Sequence, residues 1–294
     1  MINFRYHVVS IIGIFIALAV GVVLGAGPLQ RSINAGMNPS SSQAASDPVL
    51  SAQAEAEAAG LKALASSTLA GSLTGTSVAL VVLPGASDDD VSAIRSTLTD
   101  AGASVVGRVT LTDNWQSTSM SQYRTTLATT LASHLQSGAA KTASADGVVG
   151  YSIVQVLTST GAETDLLRQI LTDKSTPLMT IDEDPAGKAT TLVAVGARAQ
   201  TTTSTQASAA ASSDAWIGLG LAVGSTSGVV VGDASSREAM ISQIRTSGTA
   251  VTTVDSVGTT LASVDTALAL STASSGARAF GVGNGAQSVI PSSK

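Results

Sequence analysis

TSVALVVLPGASDDDVSAIRSTLTDAGASVVGRVTL, residues 76–111, passes from an apolar run through a polar turn into a helical period and back to an apolar run. Val78 to Leu83 is continuously apolar, as in a strand covered on both faces. Pro84 and Gly85 then predict a turn, and Ser87 stands where a helix cap is expected. Asp88, Asp89 and Asp90 place negative charge in the first helical turn, where the backbone dipole favours it. Val91, Ile94 and Leu98 recur on one helix face, Gly102 ends the helix, and a second strand is expected from Ser104 to Leu111. Strand, helix and strand of this length make a right-handed crossover unit, the building block of a parallel sheet.

A second unit of the same order occupies TSGVVVGDASSREAMISQIRTSGTAVTTV, residues 226–254. Val229 to Val231 is its first strand, a helix is expected to start at Ser235 or Ser236 and carry Met240 and Ile244, Gly248 breaks it, and Ala250 to Val254 supplies a strand. The shared order fits either two related halves or repeated use of one common unit. Between the units, Met120, Tyr123, Leu127 and Leu131 predict a helix over 119–135, and Leu166, Leu167 and Ile170 a shorter one over 163–171. Strands are expected over 177–181 and 192–195, and RAQTTTSTQASAAASSDAW, residues 198–216, reads as a loop or boundary. Leu261, Val264 and Leu268 mark a last helix and 277–282 a last strand. The expected fold is α/β, Rossmann-like, with a predominantly parallel sheet.

Upstream lies a different kind of sequence. Val8 to Leu29 holds no charged side chain over 22 residues, enough for a helix to cross about 30 Å of hydrocarbon. It is longer than the apolar region of a signal peptide, and Pro28 follows the best small-residue site, Gly25 and Gly27, so an uncleaved transmembrane anchor is expected. Gly21 and Gly25 are small residues four apart that allow close helix packing, and hence a homo-oligomer through the anchor. Arg5 before the segment and Arg31 after it give a slight preference for an N-terminus inside. The expected division is 1–29 cytoplasmic flank and anchor, 30–49 linker, 50–73 short helix or weak coiled-coil stalk interrupted by Gly60, and 74–294 extracytoplasmic α/β domain. On the stalk, Leu50, Leu61, Leu64 and Leu69 are expected to dock an apolar side onto a partner helix or onto the chain's own domain.

Composition narrows the chemistry. The formal charge of −5 and the absence of a basic cluster argue against nucleic-acid binding. Cysteine is absent, which excludes disulfides, thiolate metal sites and thiol catalysis. The glycines of GVVVGDAS and GVGNG lack the strand, G-x-G-x-x-G turn and long helix of a dinucleotide site, and read as turns and close backbone approaches. Asp88, Asp89 and Asp90 read as helix-start charges and Asp182 to Pro185 as a solvated turn, with a hard-cation site and a catalytic acid as their respective alternatives. Met37, Met120, Met179 and Met240 do not cluster, and His7 and His134 are isolated, so the residues mark no copper site. No enzyme, cofactor or metal function is expected; an extracytoplasmic interaction or assembly module is.

The opening FRYHVVSIIGIFIALAVGVVLGAGPL, residues 4–29, is similar to the N-terminal signature of an actinobacterial family of mycobacterial-type copper transport proteins. The single anchor, the following helical stretch and the α/β region also resemble that family. The resemblance implies a single-pass protein of the cytoplasmic membrane with its main domain outside, and roles in copper efflux or as an envelope channel. It further implies, for some relatives, envelope or cell-division proteins as partners; copper enters only through this resemblance.

Overall fold

The computed structural model describes residues 48–199, 210–272 and 276–291. The anchor, with Gly21 and Gly25, and most of the linker lie outside the described residues. Among those described, no helix is long and apolar enough to cross a membrane. The chain divides into two compact units, Met1–Ala54 and Glu55–Lys294. Of the first, only the opening turns of a helix are described. The second holds all the described strands.

The elements run α1 (Pro48–Leu69), β1 (Ser77–Val82), α2 (Asp88–Asp100), β2 (Ser104–Leu111), α3 (Asp113–Gln116), α4 (Ser121–His134), α5 (Gly138–Lys141), α6 (Ala145–Thr158), α7 (Ala162–Leu171) and β3 (Met179–Glu183). Then come β4 (Thr191–Val195), α8 (Ser213–Gly224), β5 (Val229–Val231), α9 (Met240–Thr246), β6 (Thr252–Val254), α10 (Thr260–Ser271) and β7 (Arg278–Phe280). The seven strands lie in the order β3-β2-β1-β4-β5-β6-β7. Every pairing is parallel except β2 with β3. This is a doubly wound plan with a reversed edge strand, so the mixed α/β class with a mostly parallel sheet holds.

Each strand feeds two cores because side chains alternate across the sheet. Ala79 and Val81 of β1 enter one core with Trp115, Leu131, Ile153 and Leu219. Val78, Leu80 and Val82 enter the other with Ile94 and Leu98 of α2 and Val264 of α10. Burying each large aliphatic side chain contributes about 1.5–3 kcal/mol, which explains why the apolar run from Val78 to Leu83 was so legible.

Two buried helices escape a reading by periodicity. Gly147 to Leu157 of α6 is buried at every position except half-buried Tyr151, so no polar face survives to mark its turns. The second, α8, begins at Ser213 inside the stretch expected to be a loop or boundary; the Ser212 hydroxyl accepts from the Ala215 N–H as its cap. These two helices cross through glycine: a Cβ on Gly150 would lie 2.6 Å from the Gly218 carbonyl oxygen.

Three expectations need correction in detail. Helix α1 runs unbroken through Gly60, where the cost of about 1 kcal/mol relative to alanine is offset by the packing of Ala65 and Leu69 further along. Helix α9 starts at Met240 rather than at Ser235 or Ser236. Asp233 draws the Ser235 N–H and hydroxyl onto its carboxylate and holds that segment as a loop. The expected strand at 177–181 lies at Met179–Glu183 and runs antiparallel.

Candidate functional site

Strands β1 and β4 are parallel neighbours, yet the chain leaves β1 toward β2 and leaves β4 toward β5. Successive connections therefore depart in opposite directions, and a crevice opens beyond the strand ends, where open α/β sheets bind their ligands. A cleft of about 640 Å³ lies there. Pro84 and Gly85 after β1, and Gly196 and Arg198 after β4, form one side of it. Trp216 of α8 and Gln116 of α3 form the opposite wall; Asp113, Asp233 and Glu238 bring carboxylates, and Met240 reaches its base.

Hydrogen bonds hold that wall together. The Trp216 indole N–H donates to Gln116 Oε1 at 3.4 Å, the Ser212 N–H to the Gln116 carbonyl at 2.7 Å and the Thr118 N–H to the Ala210 carbonyl at 2.9 Å. Behind it, the fully buried Arg124 donates to the Ser117 carbonyl at 2.7 Å and to Asp146 at 2.5 Å. On the other rim, Arg198 makes a two-pronged contact with Asp90 at 2.7 and 2.6 Å. Asp90 is 5% exposed and Arg198 52%, so the charge pair faces water on the arginine side. The Asp90 hydrogen bonds, and secondarily its charge, raise the Arg198 pKa further.

A second cleft, of about 690 Å³, lies farther along the same edge beyond β5, β6 and β7. It is organised around an ion pair in which Arg245 is 7% and Asp255 1% exposed. Arg245 donates to Asp255, to the Thr253 hydroxyl and to the Phe280 and Asn284 carbonyls at 2.8–3.0 Å. Asp255 also accepts the N–H groups of Val282 and Gly283 and the Ser256 hydroxyl. Ser256 reaches it from a left-handed backbone, φ +63°, an uncommon conformation for a residue with a Cβ. Burial pushes the Asp255 carboxyl up, but the Ser256 hydroxyl, the two amides and Arg245 together outweigh it and hold the pKa below its usual value. Burial likewise lowers Arg245, against the opposing pull of Asp255.

The GVGNG glycines serve this arrangement. A Cβ on Gly281, which adopts φ +120°, would overlap the Asp255 carboxylate. The loop is a cradle for an anion, and the anion is the chain's own aspartate. Nearby, Asp265 of α10 is fully buried with both oxygens unpartnered among the described residues, and burial, reinforced by the Asp255 charge, pushes its pKa up to about 7.

The residues singled out from sequence do not converge. Leu50 and Leu64 are exposed, 59% and 69%; Leu61 packs half-buried against the core and Leu69 is 3% exposed inside it. The side of α1 bearing Ala65 and Leu69 is covered by α2 and α10 residues of the same domain. Asp88 pairs with Arg108 and Asp90 with Arg198, and they point to different partners as adjacent helix positions must. Asp182 meets Arg108, Glu183 meets Arg95 and Asp184 meets Arg168. Because β3 is antiparallel, these acids follow a strand end that points away from the cleft. His134 bonds Glu163, Met179 is buried, and Met37 lies outside the described residues. Among the described residues no group of three or more His, Asp or Glu side chains is placed to hold a metal ion. Of the cleft's own residues, Asp233 carried one available signal, a polar residue and a glycine just after an apolar strand run; Gln116, Trp216 and Glu238 carried none.

Residues 1–291 match the family described as "Copper transport outer membrane protein, MctB", and the chain belongs to that family. No curated protein matches it.

Proposed function

We propose that this member of the copper transport family serves the cell envelope as an anchored, non-catalytic α/β interaction module, with residues 8–29 as a single-pass anchor, the N-terminus inside and the sheet domain outside. One observation carries the non-catalytic reading. At the two places where this topology would offer backbone amides or a helix N-terminus to a phosphate or anionic cofactor, the chain supplies its own carboxylates: Asp88, Asp89 and Asp90 in the first turn of α2, and Asp255 within the glycine loop. Nucleotide and phosphoryl chemistry is disfavoured there, and what remains is a fixed, acidic, partly apolar surface suited to recognition. We place the protein contact at the exposed Leu64; envelope-growth and division proteins are the class we favour.

Copper transport itself is the second reading, and the family to which the chain belongs favours it. A single apolar helix has no polar lumen, so transport by this chain requires assembly of several copies or a partner pore. The deciding experiment reconstitutes the full chain in vesicles and follows copper entry. The interaction reading expects flux equal to that of empty vesicles, together with weaker capture of a crosslinked envelope partner by Leu64→Ser. Reproducible copper flux overturns it. Protease added to intact spheroplasts should remove a C-terminal tag, and protection of the tag rejects the orientation.

A further inference from the structure

We propose that the cleft between the ends of β1 and β4 binds a small organic cation, an ammonium group carried on an apolar or aromatic body. Its volume of about 640 Å³ is in the range of small-molecule sites, and it occupies the crevice that this topology leaves open. Charge selects the sign of the ligand. Asp113, Asp233 and Glu238 border the space, and the one lining cation among the described residues, Arg198, is already bound on two atoms by a further carboxylate, Asp90. An anion entering the cleft therefore meets an excess of negative charge, whereas an ammonium group meets acceptors. Asp233 uses two acceptor positions on Ser235 and, with about four available to a carboxylate, keeps others for a ligand.

The apolar part of the ligand follows from the rest of the lining. Trp216 borders the same space, held by its indole N–H on Gln116, and an aromatic ring beside carboxylates is the recurring environment for organic cations. Leu83, Pro84, Ala211 and Met240 complete an apolar surface on which a hydrocarbon or aromatic body can rest. The wall is built in advance: Arg124, with no exposed side-chain surface, clamps the Ser117 carbonyl, and Ser117 bridges to Ala211 beside Trp216. A preformed wall reduces the ordering cost of binding.

Isothermal titration of the full chain in non-ionic detergent with phenethylamine, phenethyl alcohol and phenylacetate separates charge from shape, because the three share ring and size. Phenethylamine should bind saturably, the alcohol at least about tenfold more weakly, and phenylacetate not at all. Glu238→Gln, on an exposed side chain, should weaken phenethylamine alone; Asp233→Asn added to it, and separately Trp216→Leu, should weaken it by about tenfold or more while each variant still unfolds in one cooperative transition. Equal binding of the alcohol overturns the proposal, as does absence of saturable binding or indifference to all these substitutions. Copper(II) sulfate alone, binding in a manner that needs Asp233 and Glu238 while phenethylamine does not bind, also overturns it and assigns the cleft to the metal.

Discussion

The two clefts at the C-terminal edge of the sheet are built from the same materials, an arginine, an aspartate and a glycine turn, and they end in opposite states. At β6 and β7, Arg245 and Asp255 are buried together and gather the loop 281–285 around them. At β1 and β4, Asp90 is buried but its partner Arg198 stands half in water, and the space in front of it stays open. The first arrangement is a structural tie, because Arg245 donates four hydrogen bonds and Asp255 accepts four, all among the chain's own groups beside the cleft. The second is a rim. Burial of the cation is the physical difference: a guanidinium removed from water must find several acceptors, and the protein provides them by closing the loop.

Breaking the tie should have the largest effect. Arg245→Leu leaves Asp255 charged, buried and short of its counter-ion, and removal of one partner of such a pair costs about 3–5 kcal/mol. Denaturant unfolding of the full chain should show this loss, together with protease cleavage near 281–285. A loss below about 1 kcal/mol would mean that the pair is no more than a surface contact and would erase the distinction between the clefts.

The history of this site in the sequence is instructive. GVGNG was legible as a close backbone approach, and Gly281 is one, but nothing in the local pattern named Asp255, 26 positions earlier, as the group it approaches. Strand–helix–strand units survived translation into structure because their apolar runs and one-sided helices obey local periods. The helix Ala145–Thr158 did not, since burial on nearly all sides removes the period, and Ser213–Gly224 was hidden by its small and apolar residues on every face behind a Ser- and Thr-rich run. The open cleft draws Gln116, Arg198, Trp216 and Asp233 from three separate connections, and only strand order brings them together; strand order is not written in any one segment. Leu69 shows the complementary ambiguity: the sequence left open a partner helix or the chain's own domain, and the domain covers this residue.

A pH experiment sharpens the contrast within the buried side. Asp265 has its pKa raised to about 7 by burial and by the Asp255 charge. The native state then holds a proton that the unfolded chain releases above its ordinary carboxyl pKa, near 4. Stability should accordingly fall as pH rises from about 4 to 7, by on the order of 2–4 kcal/mol, and level off above that. Asp255, Glu183 and Asp184 have depressed pKa values and act in the other direction, losing their contribution as pH drops through their folded values. Asp265→Asn cancels only the first trend, so the difference between wild type and variant across pH isolates it. A difference that does not vary between pH 4 and 7 would show that Asp265 ionises normally.

The smallest effect on stability should come from the rim. Arg198→Gln removes a half-exposed cation, and Asp90 keeps a favourable place in the first turn of α2, where the helix dipole supports its charge. The unfolding midpoint should fall only slightly, as for an ion pair with one partner half in water. Ligand binding should move instead. Without this lining cation the cleft becomes more negative, and phenethylamine should bind about two- to fivefold more tightly at low salt, with the gain fading as salt screens it. A destabilisation approaching that of Arg245→Leu would make Arg198 a second tie and the cleft a structural gap. Little-changed stability with tighter amine binding places Arg198 at the mouth of a recognition site, as a charge that limits which cations enter.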